Sequence, residues 1–243
     1  MKGVRILFVP TGRHNLLPFL PRGGVVAEIG VARGDFSRLI LDNNTPSKLH
    51  LIDPWEHQQR TDYANDPNNV DGQAQESRYR GILDKFAPEI AAGTVDIHRM
   101  YSQDAVTLFP DNYFDWIYID ALHTYDGVRD DLENYFCKVK DGGFILGHDY
   151  TNNPNAVHMG FGVIEAVNSF VMRKGLSFVA LSGDDWPTYV LTRPGDNPAA
   201  NSLTANLIYN YPGCVEIRDY PGRQFQHKIL IFNKTEIRTL PSF

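Results

Sequence analysis

Two aspartates and a histidine are spaced along the sequence so that they could do chemistry together. Asp120 and His123 lie three residues apart where one apolar segment ends, and Asp149 follows the next apolar segment. An imidazole titrates near neutral pH, so it can take a proton from a hydroxyl group. Two carboxylates that converge in a cleft repel each other unless a cation or a shared proton relieves them. The pattern therefore predicts a divalent cation here, and Mg²⁺ suits a site built from oxygen ligands.

A second group of residues is typical of a nucleotide site. In "VVAEIGVARGDFSRLIL", Gly30 and Gly34 join an apolar strand to an amphipathic helix, and Asp53 ends the following strand, 23 residues after Gly30. Gly30 permits a tight turn and Gly34 a close approach of the helix, while Asp53 has the spacing of a carboxylate that binds ribose hydroxyls. Ala32 stands at the middle glycine of the dinucleotide fingerprint, which favours a ligand without a pyrophosphate.

The elements that must position these residues follow from the apolar pattern. Short runs rich in Val, Ile, Leu and Phe alternate with longer helical stretches, which indicates crossover connections and a mainly parallel sheet covered on both faces. The predicted strands are Val25–Val31, Lys48–Asp53, Val95–Met100, Phe114–Ala121 and Gly143–His148, and the predicted helices are Asp35–Asn44, Gln75–Ala87, Asp104–Phe109, Tyr125–Val139 and Gly162–Lys174. We therefore predict an α/β fold with a Rossmann-like, doubly wound sheet, closed by an antiparallel edge pair, Ser177–Leu181 and Thr188–Thr192.

Two irregular segments follow predicted strands and should lie over the carboxyl edge of the sheet. They are Glu56–Gly72, rich in Asn, Asp and Gln, and Thr151–Gly162, rich in Asn and Gly. Open α/β folds bind ligands at that edge, so both segments are candidates for substrate selection, although solvated loops would look the same.

Composition bounds the class of protein. The chain has 243 residues, 42% of them hydrophobic, and its 23 basic and 29 acidic residues give a formal charge of −6. Without a basic run, we expect no nucleic-acid partner. Cys137 and Cys214 lie far apart without metal-ligand spacing, which fits a reducing cytoplasm. Met1–Pro21 is too polar for a signal or a membrane span, so we expect a soluble cytoplasmic protein with no membrane partner.

The chain divides by composition near Pro194. Beyond it the sequence is rich in Pro, Asn and Tyr, with two β-like runs, Cys214–Ile217 and Lys228–Asn233. We predict a principal domain over residues 1–193 and an extension over 194–243 that packs on that domain or on a partner subunit. A homodimer is a possible state, because small α/β enzymes commonly pair with two-fold symmetry.

The glycine turn resembles the first motif of the class I S-adenosylmethionine-dependent methyltransferases, an acidic residue followed by Gly-x-x-x-Gly after the first strand. The resemblance implies that residues 1–193 bind S-adenosylmethionine. It implies that Glu28 orients the methionine end, that Asp53 holds the ribose, and that Gly30 and Gly34 line the cofactor. Ser102 would flank the adenine, although a helix N-cap explains this serine equally well.

The segment from Tyr118 to Tyr150 resembles one branch of that superfamily, the metal-dependent small-molecule O-methyltransferases of the catechol and macrolide-sugar types. The matching residues are Ile119-Asp120, His123, Tyr125, Val128, Asp131, Gly142-Gly143 and Asp149. By this resemblance Asp120 and Asp149 hold the metal, Asp120 lies beside the reactive end of the cofactor, and His123 is the general base that serves a small-molecule hydroxyl.

The chain departs from that branch at position 150, where relatives often offer Asp or Asn as a further ligand and this chain has Tyr150. His148 or Asn152 could substitute. An imidazole ligand would shift the preference from magnesium towards manganese, iron or zinc.

Other functions and plain structural roles stay open. A nicotinamide-dependent oxidoreductase would share the sheet and Asp53, a metal-dependent hydroxylase or hydrolase could use the same acids without a sulfonium, and a non-catalytic module could keep the fold. His123 could be a loop histidine and Asp120 a helix cap. Acidic residues of the following helix, Asp126, Asp130, Asp131 and Glu133, are expected on its solvated face.

Overall fold

The computed structural model describes residues 4–61, 63–64, 66–220, 226–232 and 236–242. The strands are β1 Val4–Val9, β2 Val25–Ile29, β3 Lys48–Ile52, β4 Val95–His98, β5 Phe114–Ile119, β6 Val139–Gly147, β7 Ser177–Ser182, β8 Tyr189–Thr192, β9 Val215–Tyr220, β10 Gln226–Phe232 and β11 Glu236–Ser242. The α-helices are α1 Asp35–Asn44, α2 Gly72–Lys85, α3 Ala87–Ala91, α4 Ser102–Ala105, α5 Tyr125–Phe136, α6 Pro154–His158, α7 Val163–Lys174 and α8 Pro198–Asn210. Short 3-10 helices span Arg13–Phe19 and Val106–Leu108.

The large sheet has nine strands in the order β4-β3-β2-β5-β6-β8-β7-β1-β9. Strands β2 to β6 are mutually parallel, whereas β8 is antiparallel to both β6 and β7. The predicted α/β fold with an antiparallel edge is thus confirmed. The antiparallel strand at the edge is β9, which pairs with β1. The predicted edge pair, β7 and β8, lies inside the sheet.

Both faces of the sheet are covered, because alternate residues of the central strands enter two separate hydrophobic clusters. In β5, Ile117 and Ile119 belong to the cluster that includes α5 and α7, and Trp116 and Tyr118 belong to the one that includes α1 and α8. This is the arrangement expected for parallel strands that read as continuous apolar runs. The core thus fixes the strand ends that carry the candidate site.

The chain reverses its direction of winding between β2 and β5. From β2 it proceeds outward to β3 and β4, and it then returns to place β5 on the other side of β2. In open α/β sheets this switch point opens a crevice at the carboxyl ends of the strands. Gly30 follows β2 and Asp120 follows β5, so the two motifs singled out in the sequence meet at this crevice.

β1, near the start of the chain, pairs with β9, from its C-terminal part, in the large sheet. The sequence predicted no element for β1, which lies between β7 and β9. Helix α8 buries Leu203 and Leu207 in the same hydrophobic cluster as α1. β10 and β11 form a separate antiparallel hairpin, and residue 233 of the predicted run lies outside the described residues. The division at Pro194 stays a prediction. None of the helices that the structure describes is long and apolar enough to cross a membrane.

Candidate active site

A cleft of about 580 Å³ opens at the switch point. Its walls come from the turn after β2, the end of β3 and the segment beyond it, the start of α4 and one face of α5. Among the residues expected to bind a cofactor, Gly30, Asp53 and Ser102 line this cleft, and Ala121 and Leu122 line it directly after Asp120. Glu28, Gly34 and Asp120 do not line it.

The turn after β2 brings backbone against backbone. Gly30 has a φ of +88°, and a Cβ added there would lie 2.0 Å from the carbonyl oxygen of Asp120. No side chain fits, so this glycine sets the contact between the β2 and β5 ends. Ala32 also adopts the left-handed region, with a φ of +49°, and its carbonyl accepts a hydrogen bond from Trp55 Nε1 at 2.9 Å. Gly34 packs instead against α2, where a Cβ would lie 2.7 Å from Ile82 Cδ1.

Asp53 ties the glycine turn to the end of β3. Its Oδ2 accepts hydrogen bonds from the amides of Val31 and Ala32 at 2.9 and 3.0 Å, and its Oδ1 accepts one from the amide of Trp55 at 2.7 Å. Burial raises the pKa of the Asp53 carboxyl, and the three amides oppose that rise. A carboxylate offers about four lone-pair sites, so one is left for a ligand hydroxyl in the cleft.

Glu28 lies beneath the cleft rather than in it. The side chain is 2% exposed and accepts a hydrogen bond from the Ser37 hydroxyl. Burial raises the pKa of Glu28 to about 8, so the group is mainly a neutral acid at pH 7. Because Glu28 does not line the cleft, its predicted role in orienting a methionine end stays a prediction.

Ser102 and Asp131 form a polar pair in the wall of the cleft. The Ser102 hydroxyl donates to Asp131 Oδ1 at 2.6 Å, and the Tyr135 hydroxyl donates to the Ser102 carbonyl at 2.9 Å. Ser102 is not the N-cap of α4, because Tyr101 holds that position. The expectation that Asp131 lies on a solvated face is wrong: the residue is 4% exposed, and burial raises the pKa of its carboxyl to about 6.

The three residues with which the sequence analysis began do meet. His123 Nε2 lies 2.9 Å from Asp149 Oδ2 and 3.3 Å from Asp120 Oδ1. His148 joins them, with its Nδ1 2.9 Å from Asp149 Oδ1 and 3.5 Å from Asp120 Oδ1. We call these four residues the catalytic cluster, after the role that we propose for them. Asp149 has a φ of +59°, an uncommon conformation for a non-glycine residue that tends to occur at functional sites.

Arg13 adjoins the catalytic cluster, and the sequence analysis missed it. From the 3-10 helix after β1, its Nη1 lies 2.8 Å from Asp120 Oδ2 and 3.1 Å from the Tyr118 hydroxyl. The guanidinium also stacks over the ring of Phe36, 4.4 Å from its centroid. No spacing rule links residues 107 positions apart; the only signal was a basic residue interrupting the N-terminal apolar patch.

The charges of the cluster stabilise one another. Burial opposes ionisation of Asp120, but His148, His123 and Arg13 together hold the pKa of its carboxyl well below the usual range. Burial likewise disfavours the imidazolium of His123, but Asp149 and Asp120 raise its pKa well above 6.5. The two carboxylates therefore favour the protonated form of His123.

The cluster is also the one group of potential metal ligands among the described residues, because donor atoms of Asp120, His123 and Asp149 lie within 4.8 Å of one another. Two carboxylates with an imidazole fit a divalent ion, with manganese, iron or zinc preferred over magnesium. Tyr150 is no substitute ligand, since its buried hydroxyl donates to Asn168 at 2.8 Å.

Comparison with known proteins agrees with this geometry. A family model described as "Methyltransferase domain" matches residues 27–150. No curated protein matches the sequence. The solved structures with a similar fold include the N-methyltransferase NodS from Bradyrhizobium japonicum, with a TM-score of 0.52, 13% identity, and coverage of 75% of this chain and 95% of that one.

Two further structures share the fold. An O-methyltransferase family protein from Burkholderia thailandensis has a TM-score of 0.51 and 13% identity, and the match covers 75% of this chain but 55% of that one. Fibrillarin from Aeropyrum pernix, solved with S-adenosylmethionine bound, has a TM-score of 0.50 and 13% identity over 72% of this chain and 68% of that one. The family match, which spans half of the sequence, and the sheet topology together identify the chain as a member of the class I S-adenosylmethionine-dependent methyltransferases.

Proposed function

We propose that this enzyme transfers a methyl group from S-adenosylmethionine to a hydroxyl group of a small molecule, with assistance from a divalent metal. The observation that carries the proposal is the catalytic cluster at the carboxyl ends of β5 and β6, directly beside the cofactor cleft. Asp120 borders Gly30 through its backbone and holds His123 and Arg13 through its side chain.

The cleft has the features that this cofactor needs. Gly30 leaves no atom beyond its backbone in the crevice, Asp53 offers a carboxylate beside it, and Ser102 and Asp131 present polar groups on the opposite wall. When bound, the cofactor supplies an electrophilic methyl group on a sulfonium. In the transfer, the acceptor oxygen bonds to the methyl carbon, the carbon–sulfur bond breaks with its electrons left on sulfur, and the hydroxyl proton leaves to a base.

His123 is that base in our proposal. The carboxylates of Asp120 and Asp149 favour its protonated form, so the neutral form requires a further positive charge near them. Asp120 and Asp149, with His148, would hold the divalent ion, which when bound would acidify the acceptor hydroxyl and weaken the hold of both carboxylates on the imidazolium proton.

We expect the positioning of the two reactants to supply most of the rate acceleration. Holding two reactants in attack geometry contributes about 7–11 kcal/mol to the lowering of a barrier. The chain does this by fixing the cluster on two neighbouring strands, with Asp149 held between two imidazoles and Asp120 between His123 and Arg13.

The proposal is tested with purified enzyme, methyl-labelled S-adenosylmethionine and a panel of small hydroxyl compounds. We expect saturable cofactor binding by calorimetry, transfer of label to an acceptor, and loss of transfer on chelation that Mn²⁺ restores. Calorimetry with Mn²⁺ on the Asp149→Asn variant checks the metal ligands separately, and we expect weaker binding. Binding of a nicotinamide cofactor in place of S-adenosylmethionine would contradict the proposal, and undiminished transfer under chelation would remove the metal from it.

A further inference from the structure

The residue directly after the proposed metal ligand Asp149 lies in the hydrophobic core and not in the catalytic cluster. Tyr150 occupies the position at which relatives often offer a further metal ligand, but its side chain is fully buried. Its ring packs edge-on against Phe178 of β7 and Tyr189 of β8, with centroids 5.6 and 6.2 Å apart. The chain thus uses position 150 as an anchor in the core.

The hydroxyl of Tyr150 belongs to a closed ring of three hydrogen bonds. It donates to Asn168 Oδ1 of α7 at 2.8 Å, and Asn168 Nδ2 donates to the Tyr220 hydroxyl at 3.2 Å. The two tyrosine hydroxyls are hydrogen-bonded to each other. Because a hydroxyl has one proton and that of Tyr150 is directed at Asn168, Tyr220 is the donor to Tyr150. Within the ring, each of the three side chains therefore donates one hydrogen bond and accepts one.

Tyr220 brings the C-terminal part of the chain into this ring. It is the last residue of β9, is 1% exposed, and belongs to the extension predicted over residues 194–243. β9 is the edge strand next to β1, four places from β6 in the order of the sheet. The ring of hydrogen bonds therefore links the edge of the sheet to the residue that follows Asp149.

Asp149 needs support on both sides because of its backbone conformation. A non-glycine residue with a φ of +59° persists only where the surrounding structure holds it. Before it, the amide of His148 donates to the Ile119 carbonyl at 3.0 Å, next to the paired strands β5 and β6. After it, the amide of Tyr150 donates to the Pro187 carbonyl at 3.0 Å, and the ring of hydrogen bonds holds the Tyr150 side chain. The orientation of the Asp149 carboxylate thus depends on Tyr150.

We propose that Tyr220 is a positioning residue: with Asn168 it holds Tyr150 and so fixes the turn at Asp149, which makes β9 part of the support of the metal site. The inference rests on the proposed function, since it concerns the ion that Asp149 would hold. It gives the C-terminal extension a task beyond packing. Replacing an outer partner that orients a metal ligand typically lowers the affinity for the metal by about 10–100-fold.

Calorimetry with Mn²⁺ on the full chain tests the proposal. Tyr220→Phe removes one hydroxyl and keeps the aromatic packing, so Mn²⁺ should bind about tenfold more weakly. The affinity for S-adenosylmethionine, measured on the same samples, should change by less than about threefold. Loss of Mn²⁺ binding in Asp149→Asn identifies the titration with this site. Equal Mn²⁺ affinity in Tyr220→Phe and the parent would overturn the positioning role.

Tyr113→Phe is the matched control for the loss of a tyrosine hydroxyl. This hydroxyl is hydrogen-bonded to His50 Nε2 at 3.2 Å, and Tyr113 directly precedes β5, at the opposite end of that strand from Asp120. Both Phe variants should lose stability in urea unfolding, but only Tyr220→Phe should lose Mn²⁺ affinity. Equal losses of Mn²⁺ affinity in the two variants would overturn the proposal, because they would show a general effect of stability.

Tyr150→Phe opens the same ring from its other side, and it serves as the second variant if Tyr220→Phe fails to fold. It should weaken Mn²⁺ binding by a similar factor. Because the two hydroxyls act as one unit, the double variant should bind Mn²⁺ within about threefold of either single variant. A loss equal to the product of the two single losses would overturn the ring as the cause.

Failure of this inference is distinguishable from failure of the proposed function. If the parent binds Mn²⁺ and Tyr220→Phe binds it equally well, the positioning role alone is overturned. A parent enzyme that binds no Mn²⁺ overturns the metal site of the proposed function, and the positioning role with it. Binding of Mn²⁺ without binding of S-adenosylmethionine overturns methyl transfer and leaves the result for Tyr220 standing.

Discussion

Carboxyl groups on the two sides of the switch point have pKa values that are shifted in opposite directions. On the cofactor side, Glu28 and Asp131 each receive one hydroxyl hydrogen bond, and burial raises their pKa values to about 8 and about 6. In the catalytic cluster, Asp149 is also buried and Asp120 is half-buried, yet imidazoles, joined by a guanidinium at Asp120, hold the pKa of both carboxyls below their usual range. Desolvation opposes ionisation on both sides, so the partners decide the direction of the net pKa shift.

This difference matches the chemistry proposed for each side. On the cofactor side, the carboxyl groups of Glu28 and Asp131 are paired with hydroxyl donors, which carry no charge. The catalytic cluster concentrates charge where a proton must move, as expected of sites that separate the pKa values of neighbouring groups. The predictions below test whether the two sides differ in this way.

The largest effect is expected at the centre of the catalytic cluster. His123→Asn keeps a polar group in place but removes the base, so turnover should fall by about 10²–10⁴-fold. The affinity for S-adenosylmethionine, measured by calorimetry, should change by less than about threefold, because His123 does not line the cofactor cleft. Parental turnover in this variant would remove His123 from the mechanism.

Arg13→Gln should affect both turnover and stability. The guanidinium contacts the half-buried carboxylate of Asp120, and a hydrogen bond to a charged group contributes about 1.5–3 kcal/mol, so the free energy of unfolding in urea should fall by that amount. Arg5→Gln is the matched control, because Arg5 pairs with Glu216 at 3.5 Å with 70% of its side chain exposed. The control should change stability by less than about 0.5 kcal/mol, and equal effects of the two substitutions would contradict the account of Arg13.

Asp53→Asn tests the cofactor side. The amide group places a donor against one of the backbone amides that Asp53 now accepts from, so the glycine turn should loosen and S-adenosylmethionine should bind about tenfold more weakly. Asp35→Asn, at an exposed carboxylate beside Lys85, should leave the affinity unchanged. Unaltered cofactor binding in Asp53→Asn would show that the turn is not part of the site.

The smallest effect is expected from Glu28→Gln. Glu28 is mainly protonated at pH 7, so the amide should imitate it, and cofactor affinity at pH 7 should change by less than about threefold. A strong loss of cofactor binding would instead support the ionised, cofactor-contacting glutamate that the family resemblance implies.

Glu28→Gln should also change how the free energy of unfolding depends on pH. The folded state raises the pKa of Glu28 from 4.5 to about 8 and so binds more protons than the unfolded state between those values. The parent should therefore lose stability as pH rises through this window, and Glu28→Gln should remove that part of the slope. Urea unfolding at pH 5, 7 and 8.5 measures the difference, and parallel curves for the two proteins would contradict it.

The parallel half of the sheet was predictable from the sequence because its strands are continuous apolar runs. Gly30, Asp53, Asp120 and Asp149 each follow such a strand, and the carboxyl ends of neighbouring parallel strands meet at one edge, so their convergence followed from the strand assignment. The position of His123 in the site was predictable as well, because it lies only three residues after Asp120.

Other parts required the tertiary structure. β1 is apolar at five of its six residues, but nothing in its pattern indicates that it joins the sheet between β7 and β9. Arg13 reaches Asp120 only because β1 is placed there. Asp131 could have been found from periodicity, since it lies three residues after Val128 and four before Tyr135 on the buried face of α5. Its pairing with Ser102 depends on where α4 packs.

The central claim is that the cofactor cleft and the catalytic cluster form one site. A crystal structure of the enzyme with S-adenosylhomocysteine tests it most directly. We predict the adenosine portion between Gly30, Asp53 and Ser102, with the sulfur directed towards the side of the cleft where His123 lies. A cofactor product bound elsewhere, or bound in the cleft with its sulfur directed away from His123, would contradict the account.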